Sequence, residues 1–263
     1  MNNKSSKIVG IIPAAGNASR ISPLPCSKEI FPVGFRTNVS QETPRIKVAA
    51  SYLLESFCEA GADQIYMIIQ KGKWDIPQYF GMGTDPEYSL AYLVTESTKG
   101  THYTIDLAHR FVKDKMILLG FPDILFKPNN AFVSLLEKQE QTGADVVLGL
   151  FKTENPHKAD MVDIDEQGRV RKIVIKPRRT KLEFTWTIAV WTPDFSNYLH
   201  NFVTERGIDK GSKSIPQREI FIGDVILHAL EHGLDVETVL FPDGEYIDIG
   251  TLPDLKKALS REL

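Results

Sequence analysis

Along the first half of the chain, short β-branched runs alternate with segments whose apolar residues recur at helical spacing. Strands are expected at Lys7–Pro13, Gln64–Gln70, Leu90–Thr95, Met116–Gly120 and Asp145–Leu150. Between them, Pro44 to Ala60 carries Val48, Tyr52, Leu53 and Phe57 at helical spacing and stops at Gly61, a residue suited to a left-handed cap. Thr101 is placed to cap a helix bearing Ile105, Ala108, His109 and Val112. Asn130 to Gln141 carries Phe132, Leu135 and Leu136 and ends before Gly143. Strands separated by helices imply crossover connections, hence an α/β fold with a mostly parallel sheet covered on both faces.

After Leu150 the pattern changes. Met161 to Ile175 reads as a hairpin about Glu166-Gln167-Gly168, and a strand follows at Thr185–Thr192. Helices are expected near Asp194–Arg206 and Ile220–His232, then strands at Asp235–Leu240 and Tyr246–Ile249 and a last helix from Pro253. Gly207 to Ser214 reads as an exposed, mobile loop. No Pro/Gly/Ser-rich linker divides the chain. Residues 1–263 are therefore expected to form a single domain, with halves at about 1–150 and 151–263.

Charge adds exclusions. Lys and Arg number 31 against 34 Asp and Glu, a formal net charge of −3, which lacks the basic excess of a general nucleic-acid binder. Cys26 and Cys58 lie far apart without metal-ligand spacing, as expected of two reduced thiols. The apolar run Ile8 to Ile12 is too short for a signal-peptide core, and no stretch reaches the roughly 18 apolar residues that span a bilayer. A soluble, cytoplasmic protein is expected.

The informative segment is Ile11-Ile12-Pro13-Ala14-Ala15-Gly16-Asn17-Ala18-Ser19-Arg20, followed by Ser27-Lys28-Glu29-Ile30-Phe31-Pro32-Val33. A buried strand runs into a loop of small residues, which lets backbone N–H groups approach a phosphate closely, and Arg20 and Lys28 bring positive charge. Ligands of parallel α/β sheets sit at the carboxyl ends of strands, where this loop lies. Neither the P-loop nor the dinucleotide fingerprint is present. Taken alone, the segment fits equally a small-residue turn with two solvated cations. His228 and His232 stand four residues apart on an expected helix, but no third metal ligand accompanies them.

These residues resemble the opening motif of the sugar-1-phosphate nucleotidylyltransferases, in the manner of the glucose-1-phosphate uridylyl- and thymidylyltransferases. Leu119-Gly120-Phe121-Pro122-Asp123, Val174-Ile175-Lys176-Pro177 and Tyr246-Ile247-Asp248-Ile249-Gly250-Thr251 resemble later motifs of that family in the same order. The resemblance implies a three-layer α/β/α, Rossmann-like fold of the GT-A kind and nucleotidyl transfer from an NTP to a sugar 1-phosphate with Mg²⁺. It implies phosphate-binding, catalytic roles for Arg20 and Lys28, and nucleotide binding at Ala14, Ala15, Gly16 and Gly100. It assigns sugar-phosphate binding to Lys176 and metal binding to Asp123 and Asp248. The implied partners are the NTP and the sugar 1-phosphate, without nucleic acid or membrane, and a homo-oligomer stays open. Thr95, Ile175 and Thr187 depart from the family pattern, at positions often held by Gln, Glu and Gly. Two alternatives remain at this point: a cytidylyltransferase acting on a non-sugar or alditol phosphate, and a non-catalytic nucleotide-sugar-binding protein on the same scaffold.

Overall fold

A computed structural model describes residues 7–37, 44–81, 84–85, 88–96, 100–208 and 219–260. The chain runs through β1 (Ile8–Ala14), β2 (Pro32–Thr37), β3 (Pro44–Val48), α1 (Ala49–Glu59), β4 (Gln64–Gln70), α2 (Asp75–Phe80), β5 (Thr84–Asp85) and β6 (Tyr88–Thr95). Next come α3 (Thr101–Asp106), α4 (His109–Val112), β7 (Met116–Leu119), β8 (Ile124–Lys127), α5 (Ala131–Thr142), β9 (Val146–Lys152), β10 (Asp160–Ile164) and β11 (Val170–Ile175). The last part holds β12 (Phe184–Trp191), α6 (Pro193–Ile208), α7 (Ile222–Glu231), β13 (Val236–Phe241), β14 (Glu245–Asp248) and α8 (Leu252–Ser260).

Strand β1 is nearly all apolar because both of its faces are covered. Val9 and Ile11 join one core with Ile117, Trp191, Phe195 and Ile226, and Ile12 and Ala14 join another with Leu53, Phe57, Phe132 and Leu135. The period-two alternation thus assigns successive residues to opposite layers. β1 pairs in parallel with β4 and β7, and β4 pairs in parallel with β6. Antiparallel β12 then joins β7 to β9, and β13 returns parallel to β9. The order β11-β10-β12-β7-β1-β4-β6-β5 makes strands of both halves one mixed sheet. This is the expected three-layer α/β/α arrangement. Among the described residues no helix is long and apolar enough to cross a membrane.

Several local expectations need correction. Pro44 to Val48 is not helical: it forms β3, paired antiparallel with β2, so the helix begins only at Ala49. The cross-strand pairing of Arg36 with Arg45 and Thr37 with Pro44 overrides the helical spacing read there. Thr101 is not the cap of α3. Gly100 occupies that position, no side chain caps the helix, and the expected long helix breaks into α3 and α4 at Leu107–Ala108. Gly207 lies within α6, whereas residues 209–214 of the expected loop lie outside the described residues. Helix α2 and strands β2 and β8 carried no clear pattern in the sequence.

The layer against α1 is tightly closed. Phe57 is fully buried, meets Phe132 edge-on at 4.9 Å between centroids, and lies so near β1 that a Cβ on Gly10 would fall 2.4 Å from its ring. Phe57→Ala is expected to cost about 3–5 kcal/mol of unfolding free energy by urea titration. A loss below about 1 kcal/mol would show that this layer relaxes freely around the missing ring.

Candidate active site

Among the described residues, two short strands, β8 and β14, leave the main sheet and pair only with each other. Their antiparallel register sets Asp248 opposite Ile124, and the Ile249 N–H donates to the Asp123 carbonyl oxygen at 2.9 Å. Asp123 stands just before β8 on the connection from β7, and Asp248 ends β14. The ladder therefore sets two acidic residues, distant in sequence, side by side. Leu125, Ile247 and Ile249 anchor it through a separate apolar cluster with Leu255 and Ala258 of α8.

The charges respond to one another. Burial pushes the Asp248 carboxyl above its ordinary range, and the neighbouring Asp123 charge pushes it the same way. The Gly250 N–H at 2.7 Å, Lys28 and Arg20 pull against that rise. Lys28 Nζ sits 2.5 Å from Asp123 Oδ2. Burial disfavours its ammonium charge, but Asp123, Glu29 and Asp248 outweigh burial and hold the group above the usual lysine range. Arg20 reaches across Gly250, where an added Cβ would lie 3.1 Å from its guanidinium and 2.7 Å from Asp248 Oδ1. Absence of a side chain at 250 thus lets Arg20 and Asp248 share one spot.

Three supporting residues escaped the sequence reading. Lys73 Nζ donates to the Ala14 carbonyl oxygen at 2.9 Å and pairs with Glu29 Oε1 at 2.7 Å, while Glu29 is completely buried. Burial raises the Glu29 carboxyl above its ordinary range, against the pull of Lys73 and Lys28. Asp75 accepts from the Ser27 N–H at 2.6 Å and the Ser27 hydroxyl at 2.8 Å. Together they tie the end of β1 and the Ser27–Lys28 step to the segment after β4. The only available signal was charge just beyond the carboxyl end of a neighbouring parallel strand.

A cleft of about 710 Å³ opens beside this charge cluster. Arg20, Asp123, Lys176 and Asp248 line it, joined by Thr101, Phe121, Trp186 and Phe221. Ala14, Ala15, Gly16, Gly100 and Lys28 do not form its wall: Ala14 and Ala15 are buried, Gly16 is exposed, and Lys28 connects through Asp123. Gly100 adopts φ +118°, and a Cβ there would meet the Ile220 carbonyl oxygen at 3.0 Å, so only glycine suits the turn into α3. Lys176 holds φ +43° and sets its ammonium 3.5 Å from the Phe221 ring centroid. Arg178 and Arg179 are exposed and lie off the cleft wall. Of the departures from the family pattern, Thr95 ends β6 and Ile175 ends β11, while Thr187 lies at a register shift of β12 on the cleft wall. His228 and His232 stack at 4.0 Å away from this wall, with the Tyr198 hydroxyl 2.5 Å from His228 Nδ1.

A family model described as nucleotidyl transferase matches residues 9–263. The chain is 27% identical over 171 residues to a low-salt glycan biosynthesis nucleotidyltransferase (Agl11) of Haloferax volcanii, covering 64% of this chain but only 44% of that protein. It is 25% identical over 254 residues to the glucose-1-phosphate thymidylyltransferase of Neisseria meningitidis, covering 95% of this chain and 81% of that one. A solved UDP-glucose pyrophosphorylase complexed with UDP-glucose superposes with a TM-score of 0.75 at 16% identity, over 96% of this chain and 97% of that one, which shows a shared fold.

Two outcomes follow from these electrostatics. With its folded pKa raised, Asp248 adds stability below the unfolded Asp range, and that contribution is lost as pH rises through the folded value. Asp248→Asn should therefore melt higher than the wild type at neutral pH in a metal-free buffer, the gap vanishing on acidification; an unchanged or lower melting temperature would contradict the crowding of the two carboxylates. Lys73→Met should cost about 3–5 kcal/mol by stranding the buried Glu29, and a second change, Glu29→Met, should recover most of it. Additive losses in the double variant would mean that the pair does not act as a unit.

Proposed function

Because the chain belongs to the nucleotidyl transferase family, we propose that it transfers a nucleotidyl group from an NTP to a sugar 1-phosphate in a Mg²⁺-dependent reaction that releases pyrophosphate. The observation that carries this reading is the juxtaposition of Asp123 and Asp248 across the β8–β14 ladder, with Lys28 and Arg20 facing them.

The donor set fits a hard divalent cation. Two carboxylates crowd together, and burial and mutual repulsion raise Asp248, a cost that a shared cation relieves. Asp123 and Asp248 would hold Mg²⁺, which would supply charge neutralisation and orientation for phosphate oxygens. The remaining work belongs to the chain. An oxygen of the sugar phosphate forms a bond to the α-phosphorus as the bond from that phosphorus to the pyrophosphate oxygen breaks. That nucleophile is already ionised at neutral pH, so the reaction requires orientation and charge compensation rather than a strong base.

Lys28 can exchange Asp123 for a phosphate oxygen, and with Arg20 it neutralises the triphosphate and the leaving pyrophosphate. Ala14, Ala15 and Gly16, just behind the wall, would offer backbone N–H groups to the nucleotide phosphates, and Gly100 would shape the turn into α3 beside the base. Lys176, exposed on the opposite part of the cleft, receives the sugar phosphate. Nucleotide and sugar-phosphate recognition thus fall to about residues 1–150 and 151–263 of one domain, working in the cytoplasm, where NTPs are made.

A panel of NTPs against sugar 1-phosphates and alditol phosphates, read by pyrophosphate release, tests the reading and identifies base and acceptor. Asp123→Asn, Asp248→Asn, Arg20→Ala and Lys28→Met should each lower turnover on the order of 10²–10³-fold with unchanged far-UV circular dichroism. Wild-type turnover in either Asn variant would overturn the metal assignment. Tight NDP-sugar binding without turnover of any pair would favour a sensor.

A further inference from the structure

A second metal-ligating cluster lies where α6 packs on α3 and α4, apart from the cleft wall. Ligand atoms of Asp106, His109 and His200 all fall within 4.8 Å of one another, and each residue is half-buried. They come from three elements: Asp106 ends α3, His109 opens α4, and His200 lies on α6, three residues after Asn197. Asp106 Oδ1 lies 2.9 Å from His200 Nδ1, and Asn197 Oδ1 lies 3.1 Å from His109 Nε2. His109 thus has one ring nitrogen oriented by an oxygen partner outside the trio, the arrangement that usually fixes the tautomer of a metal-binding histidine, whereas the Asp106–His200 contact lies between two members of the trio.

We propose that Asp106, His109 and His200 bind one borderline-soft divalent ion of the Zn²⁺ class, with water completing four-coordination. The mixture of imidazole and carboxylate donors selects such an ion over Mg²⁺, which the all-oxygen pair of Asp123 and Asp248 suits better. The two imidazoles are stacked at 3.9 Å with planes 4° apart, and parallel rings cannot both aim a lone pair at one ion. Binding therefore tilts the rings apart until the ligand atoms sit about 3.3 Å from each other around the ion. Half-exposed positions permit this, the His200 side chain being 40% exposed. The ion bridges α6 to the segment that begins at Thr101 on the cleft wall, so it braces that wall from behind without touching substrate.

The test uses the untagged full chain, stripped with a chelator and titrated with Co²⁺ in excess Mg²⁺ to fill oxygen-only sites. One equivalent should give a visible d–d band that Zn²⁺ abolishes, and Zn²⁺ should raise the melting temperature. His109→Gln and His200→Gln should each weaken Co²⁺ beyond the roughly 10–100-fold that loss of an outer-shell partner costs. His228→Gln, in the other stacked histidine pair, should leave the band unchanged. Absence of a stoichiometric band, a band indifferent to both Gln changes, or one removed by His228→Gln or Asp248→Asn would overturn the proposal. Should a Gln variant misfold, the wild-type stoichiometry and the Zn²⁺-dependent melting shift decide the matter by themselves.

Discussion

The arrangement of the site depends on the forced approach of two like charges. The β8–β14 ladder sets Asp123 and Asp248 together, and burial first, then the Asp123 charge, raises the Asp248 carboxyl. Isolated, such a pair would take up a proton or move apart. Here the Gly250 N–H, Lys28 and Arg20 compensate it, and a small apolar cluster beneath the ladder prevents retreat. The same features that make the pair unfavourable alone make it attractive to a cation carrying phosphate.

A second tier of buried charge holds the first in register. Lys28 must reach Asp123 from a loop with little regular structure of its own, and that loop is tied down on both sides. Lys73 links Glu29 to the carbonyl at the end of β1, and Asp75 binds Ser27 through both backbone and hydroxyl. Buried ion pairs add little net stability, but they are costly to half-break, which confers positional stiffness. The turn that begins at Ala14 is thereby fixed at the end of β1.

The balance of the cleft differs between its two ends. Near Asp123 and Asp248 each charge has a counter-charge within reach. Elsewhere on the wall, Lys176 rests on the Phe221 ring, and Thr187 lies at a register shift in β12. Such irregular strand positions commonly re-aim side chains next to ligands.

Much of this was legible in the amino-acid order. Uninterrupted apolar runs such as Ile8–Ile12 betray strands buried on both faces, and the ordered motifs around Arg20, Lys28, Asp123, Lys176 and Asp248 pointed to one chemistry. Local order could not reveal that Pro44–Val48 pairs with β2 instead of starting a helix, because strand pairing is a contact with another segment and helical spacing is only a preference. Nor could it reveal Lys73, Glu29 and Asp75, whose importance lies in the partners they meet across the fold, or the meeting of Asp106 and His109 with His200. Sequence alone determined the layered α/β class, since hydrophobic periodicity is a local property. Tertiary structure alone decided which charges face each other, because that depends on strand register and helix packing between segments far apart in the chain.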